Sequence, residues 1–115
     1  MEMYVVVRKY RPLKGVDMEQ EKDVIRKHVT DDFVPQVEKL SGFINYTLAF
    51  LTDGTVMSVS IFNSEASIGE SIRLASLWIN QNLPKIFEKN PEIFCGEIAV
   101  QGGRPIGESP EKKSA

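Results

Sequence analysis

The chain has 115 residues, of which 42% are hydrophobic and 26% are charged, and its formal net charge is −2. These values are ordinary for one soluble globular domain, and they argue against a nucleic-acid partner because the only basic run is the short RKYR segment at residues 8–11. A single cysteine and a single histidine exclude an internal disulfide and a multi-histidine metal site within the chain. No apolar run approaches the roughly 18 residues that span a bilayer, and the N-terminus lacks the pattern of a secretion signal. We therefore expect a cytoplasmic protein with no cofactor, no metal, and no nucleic-acid or membrane partner.

The chain divides by composition near residue 102. Residues 3–101 carry the apolar periodicity of a folded domain, whereas the stretch GGRPIGESPEKKSA at residues 102–115 holds a single large apolar residue. Such a stretch buries too little surface to offset its ordering entropy. We predict a domain over 3–101 and a disordered C-terminal tail over 102–115.

The first half of the domain predicts a strand followed by a helix. The β-branched and aromatic run MYVVVRKY at residues 3–10 is typical of a strand, and Asp17 is a suitable helix N-cap. Apolar residues then recur at helical spacing, at Val24, Ile25, Val29, Phe33, Val37 and Leu40. Pro35 interrupts this helix, which predicts a break or kink near Thr30–Asp32.

The stretch FINYTLAFLTDGTVMSVSIF at residues 43–62 predicts a β-hairpin centred on Asp53-Gly54. This dipeptide favours a two-residue type I′ turn. Pairing of Thr52 with Thr55 follows from that turn, and it puts all the large aliphatic pairs on one face. The predicted pairs are Phe50 with Met57, Leu48 with Val59, and Tyr46 with Ile61.

A second helix and a last strand complete the domain. Apolar residues at helical spacing run from Ile68 to Leu83 and stop before Pro84, and the stretch EIFCGEIAV at residues 92–100 predicts a fourth strand. The order β-α-β-β-α-β is the α+β ferredoxin-like arrangement, an antiparallel sheet with both helices on one face.

Strand periodicity divides the sheet into two faces. The face predicted to meet the helices holds Met3, Val5, Val7, Ile44, Tyr46, Leu48, Phe50, Met57, Val59, Ile61, Phe94, Ile98 and Val100. The opposite face holds Tyr4, Val6, Arg8, Asn45, Thr47, Ala49, Ser58, Ser60, Phe62, Cys95, Glu97 and Ala99. This second set is too apolar for free water and too polar for a dry core. It predicts a wet cavity or a partly buried homodimer interface.

The polar and aromatic members of the second set are the candidate site for a small-molecule ligand: Tyr4, Arg8, Asn45, Thr47, Ser58, Ser60, Phe62 and Glu97. Arg8 either anchors an anionic or carbonyl ligand or forms a structural ion pair with Glu97, and the sequence favours the ion pair. Trp78 is expected as a core or interface aromatic rather than a pocket lid. His28 and Cys95 lie in no recognisable nucleophilic pattern, so catalytic residues are not assigned.

Four passages carry a resemblance to a known superfamily: YVVVRKY, FVPQVEKLSGFINY, DGTVMSVSIFNSEAS and LASLWINQNL. Over roughly residues 3–100 the chain resembles small members of the dimeric α/β-barrel superfamily, the relatives of the antibiotic-biosynthesis monooxygenases. The resemblance implies a homodimer in which two sheets face each other and enclose a cavity. It also implies a cofactor-independent monooxygenase-like activity on a small aromatic substrate. The alternative is a non-catalytic ligand-binding or structural dimer.

The haem-degrading branch of that superfamily fits this sequence poorly. Its members carry an Asn on the first strand, a Trp at the end of the third strand and a His on the second helix. Here the first strand has no Asn, Phe62 ends the third strand, and the second helix has no His. Haem degradation is therefore not expected, while Asn45, Tyr46 and Trp78 leave monooxygenation open.

Overall fold

A computed structural model of the chain describes residues 2–103, so most of the predicted tail lies outside the described residues. The elements are β1 (Tyr4–Tyr10), α1 (Met18–His28), a π-helical segment (Val29–Phe33), α2 (Val34–Val37), β2 (Phe43–Phe50), β3 (Val56–Phe62), α3 (Ala66–Asn82) and β4 (Glu92–Glu97). The strands form one antiparallel sheet in the order β2-β3-β1-β4. The predicted ferredoxin-like order is confirmed. None of the helices in this part of the chain is long and apolar enough to cross a bilayer.

The β2–β3 turn differs from the predicted type I′ turn. The Leu51 amide donates to the Thr55 carbonyl at 2.9 Å, so three residues rather than two lie between the paired positions. Gly54 has φ +88°, but no non-glycine residue among those described has a positive φ, whereas type I′ requires a positive φ at both central residues. Asp53 Oδ1 instead accepts a hydrogen bond from the Thr55 amide at 3.0 Å.

The longer turn shifts the hairpin register by one residue. Phe50 pairs with Val56, Leu48 with Ser58, and Tyr46 with Ser60. Because side chains alternate along a strand, this shift turns every β3 side chain to the other face. The predicted pairs are therefore wrong, and the serines of β3 lie beneath the helices.

The two faces of the sheet differ accordingly from the prediction on three strands. On β1 and β3 the helix-covered, buried positions are Val6, Arg8, Tyr10, Val56, Ser58, Ser60 and Phe62. On β4, Phe94 pairs with Val7 on the open face and is 55% exposed. The prediction was correct only for Tyr46, Leu48 and Phe50 of β2, which pack against the core. Ile44 was predicted on the same face but is 42% exposed, because the register shifts between Phe43 and Asn45 and Phe43 packs against the core instead. The open face is consequently more apolar than expected over most of its area, with Val5, Val7, Asn45, Thr47, Ala49, Met57, Val59, Ile61 and Phe94, and it carries the charged residues Lys9 and Glu92 at one end.

The predicted distortion before Pro35 is present as the π-helical segment Val29–Phe33, and the helix is not broken. Proline has no amide hydrogen and its ring crowds the carbonyl four residues earlier, so a wider turn relieves the strain there. Asp17 caps α1 as predicted, accepting a hydrogen bond from the Glu19 amide at 3.0 Å.

The start of β2 and the start of α3 are held together. The Asn63 amide donates to the Gly42 carbonyl at 2.8 Å, and Ser67 Oγ donates to the Ser41 carbonyl at 2.5 Å. Gly42 has φ +70°, and a Cβ there would lie 2.9 Å from Ser64 Cβ. A side chain at Gly42 would therefore force these two segments apart.

Candidate functional site

The helix-covered face contains a buried polar cluster, which we define as Arg8, Tyr10, Tyr46, Ser58 and Ser60. Arg8 and Ser58 pair directly across β1 and β3, and each is 1% exposed. Ser60 is fully buried and pairs with Tyr46 across β2 and β3. The register of β1, β2 and β3 thus brings a guanidinium, two hydroxyls and two phenols beneath the helices.

Arg8 has no ion-pair partner among the described residues. Its Nε donates a hydrogen bond to the Tyr10 hydroxyl at 3.0 Å, while Nη1 has no hydrogen-bond partner in this part of the chain. The predicted ion pair with Glu97 is wrong because Arg8 pairs with Ile93. Glu97 lies four residues farther along β4, about 13 Å at the usual rise of a strand.

The other cluster members are also incompletely paired. Ser58 Oγ and Ser60 Oγ are buried and find no hydrogen-bond partner among residues 2–103. Burial raises the pKa of Tyr46 to about 12, against the opposing effect of the nearby Arg8 charge. Burial likewise raises the pKa of Tyr10, again opposed by Arg8. Both phenols are therefore neutral at physiological pH, and the cluster carries the positive charge of the guanidinium.

Arg8, Tyr10 and Tyr46 border an otherwise apolar internal pocket between the sheet and the helices. The Phe33 ring lies 5.3 Å from Tyr46 and 5.4 Å from Trp78, centroid to centroid. Trp78 Nε1 donates to Asp32 Oδ2 at 2.6 Å, which joins α3 to the π-helical segment. The free volume of the pocket is about 20 Å³, which is room for about one water molecule.

An external groove of about 320 Å³ adjoins the internal pocket. The two spaces share Tyr10, Ile79, Leu83 and Phe87, so these side chains form the wall between them. The far side of the groove is the segment 84–91. Two backbone hydrogen bonds tie this segment to the loop after β1, from Leu13 N to Ile86 O and from Glu88 N to Arg11 O, each 2.8 Å.

The structure divides the predicted site residues into three groups. Arg8, Ser58, Ser60 and Phe62 lie buried beneath the helices. Tyr4 and Glu97 pair at the end of the same face, where the Tyr4 hydroxyl donates to Glu2 Oε2 at 2.6 Å. Asn45 and Thr47 lie on the open face and hydrogen-bond to each other at 3.1 Å.

Tyr10 and Tyr46 of the polar cluster, and Asp32 and Phe33 of the π-helical segment, were not among the predicted site residues. Tyr10 ends β1 one alternation after Arg8, and its position follows from the strand period once the buried face is known. Asp32 and Phe33 lie in the π-helical segment, to which only Pro35 pointed. Within the described chain, no three His, Cys, Asp or Glu side chains lie together as a candidate metal site.

No protein-family model and no curated protein sequence matches the chain, but solved structures do. NE2512, a protein of unknown function from Nitrosomonas europaea, superposes with a TM-score of 0.66 at 16% identity, over 93% of this chain and 98% of that one. A dimeric ferredoxin-like protein from an uncultured marine organism gives 0.63 at 12% identity, over 89% and 100%. SnoaB, a cofactor-independent oxygenase from Streptomyces nogalater, gives 0.55 at 13% identity, over 94% and 100%. At these identities the likeness establishes the ferredoxin-like fold and nothing finer.

Proposed function

We propose that this protein binds a small aromatic molecule in the internal pocket and oxidises it as a cofactor-independent monooxygenase. The observation that carries the proposal is the buried Arg8 guanidinium, which borders an aromatic pocket without a carboxylate partner among the described residues. A buried charge is tolerated when a partner neutralises it. We therefore assign that role to a negative oxygen of the bound molecule.

The proposed chemistry needs only an electron-rich substrate and O2. Arg8 stabilises the anion of a phenol-type substrate, and the aromatic rings of Phe33 and Trp78 hold its ring system. Electrons pass from this anion to O2, so that the substrate loses two hydrogens and gains one oxygen atom while the second oxygen atom leaves as water. Tyr10 and Tyr46 are hydrogen-bonding groups in this scheme and not bases, because burial raises the pKa of both. SnoaB, which shares the fold, is an oxygenase of this cofactor-independent kind.

Substrate binding requires side chains to move. A space of about 20 Å³ cannot hold an aromatic ring, whereas the adjoining groove of about 320 Å³ can. Leu83 and Phe87 belong to the wall between the two spaces. We propose that the substrate enters through this wall and reaches Arg8 with its oxygen first.

We further propose a homodimer formed through the open face of the sheet. That face presents Val7, Val59 and Phe94 to solvent in the single chain, and Phe94 is 55% exposed. A contiguous apolar sheet face of this kind is typical of a protein interface. A ferredoxin-like relative is itself dimeric. Light scattering at micromolar concentration is expected to give the mass of two chains, and a stable monomer would contradict the proposed dimer.

A non-catalytic ligand-binding or structural dimer is the second candidate. The observation that favours it is the filling of the internal pocket by side chains, which leaves so little free volume. In that case the aromatic cluster of Phe33, Tyr46 and Trp78 serves only to pack the helices on the sheet.

Ligand binding and oxygen uptake separate these candidates. Phenols, naphthols and anthrone-type compounds would be screened by thermal shift, and each compound that binds would be tested with an oxygen electrode. The monooxygenase proposal predicts oxygen uptake by the wild type and by Arg11→Met, an exposed control that pairs with Glu92 at 2.9 Å, and none by Arg8→Met. Binding without oxygen uptake would instead support the ligand-binding dimer. If no compound binds, the result would support the structural dimer.

A further inference from the structure

No carboxylate among the described residues neutralises the positive charge of Arg8. The ion pairs of residues 2–103 join other bases to other carboxylates, as with Lys9 and Asp53 at 3.6 Å, and none includes Arg8. A guanidinium keeps its charge at physiological pH, and at 1% exposure it is almost entirely removed from water. Burial of an unpaired charge is strongly unfavourable, so this position calls for a negative partner.

The unpaired polar atoms around Arg8 define the chemistry of that partner. Arg8 Nη1, Ser58 Oγ and Ser60 Oγ are buried without a hydrogen-bond partner among the described residues. The guanidinium can only donate, and a hydroxyl can donate to an acceptor of any kind. Arg8 Nε donates to the Tyr10 hydroxyl at 3.0 Å, and Arg8, Tyr10 and Tyr46 border the same pocket. An acceptor beside Arg8 Nη1 in that pocket is therefore close to donors of all three residues.

The size and polarity of the surroundings narrow the choice of acceptor. A free volume of about 20 Å³ at the pocket that Arg8 borders is somewhat more than one water molecule needs, which suits a single monatomic ion. A planar carboxylate or a tetrahedral phosphate is larger. Apart from Arg8 and the two phenols, the pocket is lined by apolar side chains such as Ile25, Val29 and Leu48, which favour an ion that loses its hydration readily.

We infer that the protein without substrate binds one monovalent halide, chloride in size and charge, at Arg8 in the pocket that the phenols of Tyr10 and Tyr46 also border. A water molecule in the same space would accept hydrogen bonds but would leave the guanidinium charge without neutralisation. This inference does not depend on the proposed oxygenase activity. If both hold, the anionic oxygen of the substrate replaces the halide.

Thermal unfolding tests the halide site directly in the full chain. The wild type would be unfolded in sodium chloride, sodium bromide or sodium gluconate at one fixed ionic strength and protein concentration. A specific halide site raises the melting temperature in the halide salts alone, by about 5 °C for each tenfold increase in halide above its dissociation constant. Equal melting temperatures in halide and gluconate would overturn the inference, because gluconate is far too large for the space.

Two variants locate the effect. Arg8→Met should lose the halide dependence, while Arg11→Met, which removes a 59%-exposed arginine from the neighbouring surface, should keep it in full. An equal response in both variants would overturn the assignment to Arg8. Should Arg8→Met not fold, crystals of the wild type soaked in bromide provide the readout: an anomalous peak within hydrogen-bond distance of the guanidinium supports the site, and its absence contradicts it.

Discussion

Leu48 pairs with Ser58 across the β2–β3 hairpin, and this pairing decides what the interior of the protein contains. It turns Ser58 and Ser60 toward the helices and brings Ser58 opposite Arg8. A register one residue away would have buried Met57, Val59 and Ile61 in their place. The polar character of the interior thus follows from the geometry of a three-residue turn.

The backbone conformation of Gly54 in that turn predicts how a substitution there changes stability. Gly54 has φ +88° with no atom within 4 Å of a Cβ placed there, so Gly54→Val meets backbone strain without a steric clash. We expect a loss of about 1–2 kcal/mol in the free energy of unfolding, measured by urea denaturation. Gly69→Ala is the matched control: Gly69 lies in α3 with the same open surroundings and no positive φ, and the change should stabilise by about 0.5–1 kcal/mol. A neutral Gly54→Val would contradict the described turn.

The sequence was sufficient for the order of elements and insufficient for the register. Helical spacing in residues 24–40 and 68–83 gave both amphipathic helices, and the Asp17 cap was predictable from residue type. Asp53-Gly54, however, is compatible with a two-residue loop and with a three-residue loop. Val5, Val6 and Val7 place apolar side chains on both faces of β1, so the sequence of this strand does not indicate which face is buried.

The candidate site was partly predictable for the same reason. Arg8, Ser58, Ser60 and Phe62 were grouped together from their alternation, and they do share one face, but it is the covered face. The contact between Asp32 and Trp78 joins residues 46 positions apart. No local sequence pattern predicts such a contact, because the contact depends on how the π-helical segment and α3 pack against each other.

The Asp32–Trp78 hydrogen bond should stabilise the pocket wall. Asp32→Ala removes the acceptor of Trp78 Nε1, which lies 2.6 Å away. Because Trp78 is only 4% exposed, we expect the unpaired indole N–H to lower the free energy of unfolding by about 1–3 kcal/mol. Asp32→Asn keeps a carbonyl oxygen and should lose less. Urea denaturation followed by the fluorescence of the single tryptophan measures both; equal losses would mean that the acceptor oxygen is not what matters.

Alkaline pH should destabilise the fold through its buried phenols. Burial raises the pKa of Tyr46 from 10.0 to about 12, so between these values the unfolded chain releases this proton more readily than the folded one. The contribution of Tyr46 to stability is complete below pH 10 and falls by up to roughly 1.4 kcal/mol per pH unit as the pH rises toward 12. Tyr46→Phe should make the decline in the free energy of unfolding between pH 10 and 12 shallower. An unchanged slope would argue against burial of the phenol.

Shortening a side chain in the wall between the groove and the pocket should increase the affinity for larger ligands. Leu83 is 4% exposed and borders both spaces. Leu83→Ala should lower the free energy of unfolding by about 2–5 kcal/mol and should open the pocket to larger ligands. Calorimetric titration with a phenol and with a naphthol would show the naphthol gaining affinity relative to the phenol. Leu77→Ala, at a 55%-exposed position in α3, the helix that ends just before Leu83, should change neither affinity. A loss of both ligands in Leu83→Ala would contradict entry through this wall.

The buried Arg8 guanidinium is held for a negative partner and not for the stability of the fold. The most direct test is the melting temperature of Arg8→Met against the wild type in halide-free gluconate buffer without ligand. We predict a higher melting temperature for Arg8→Met, corresponding to about 1 kcal/mol or more, because an apolar side chain of similar length replaces a buried charge without a carboxylate partner among the described residues. A melting temperature lowered by the equivalent of about 3 kcal/mol or more would mean that Arg8 is a structural residue and is not held for a negative partner.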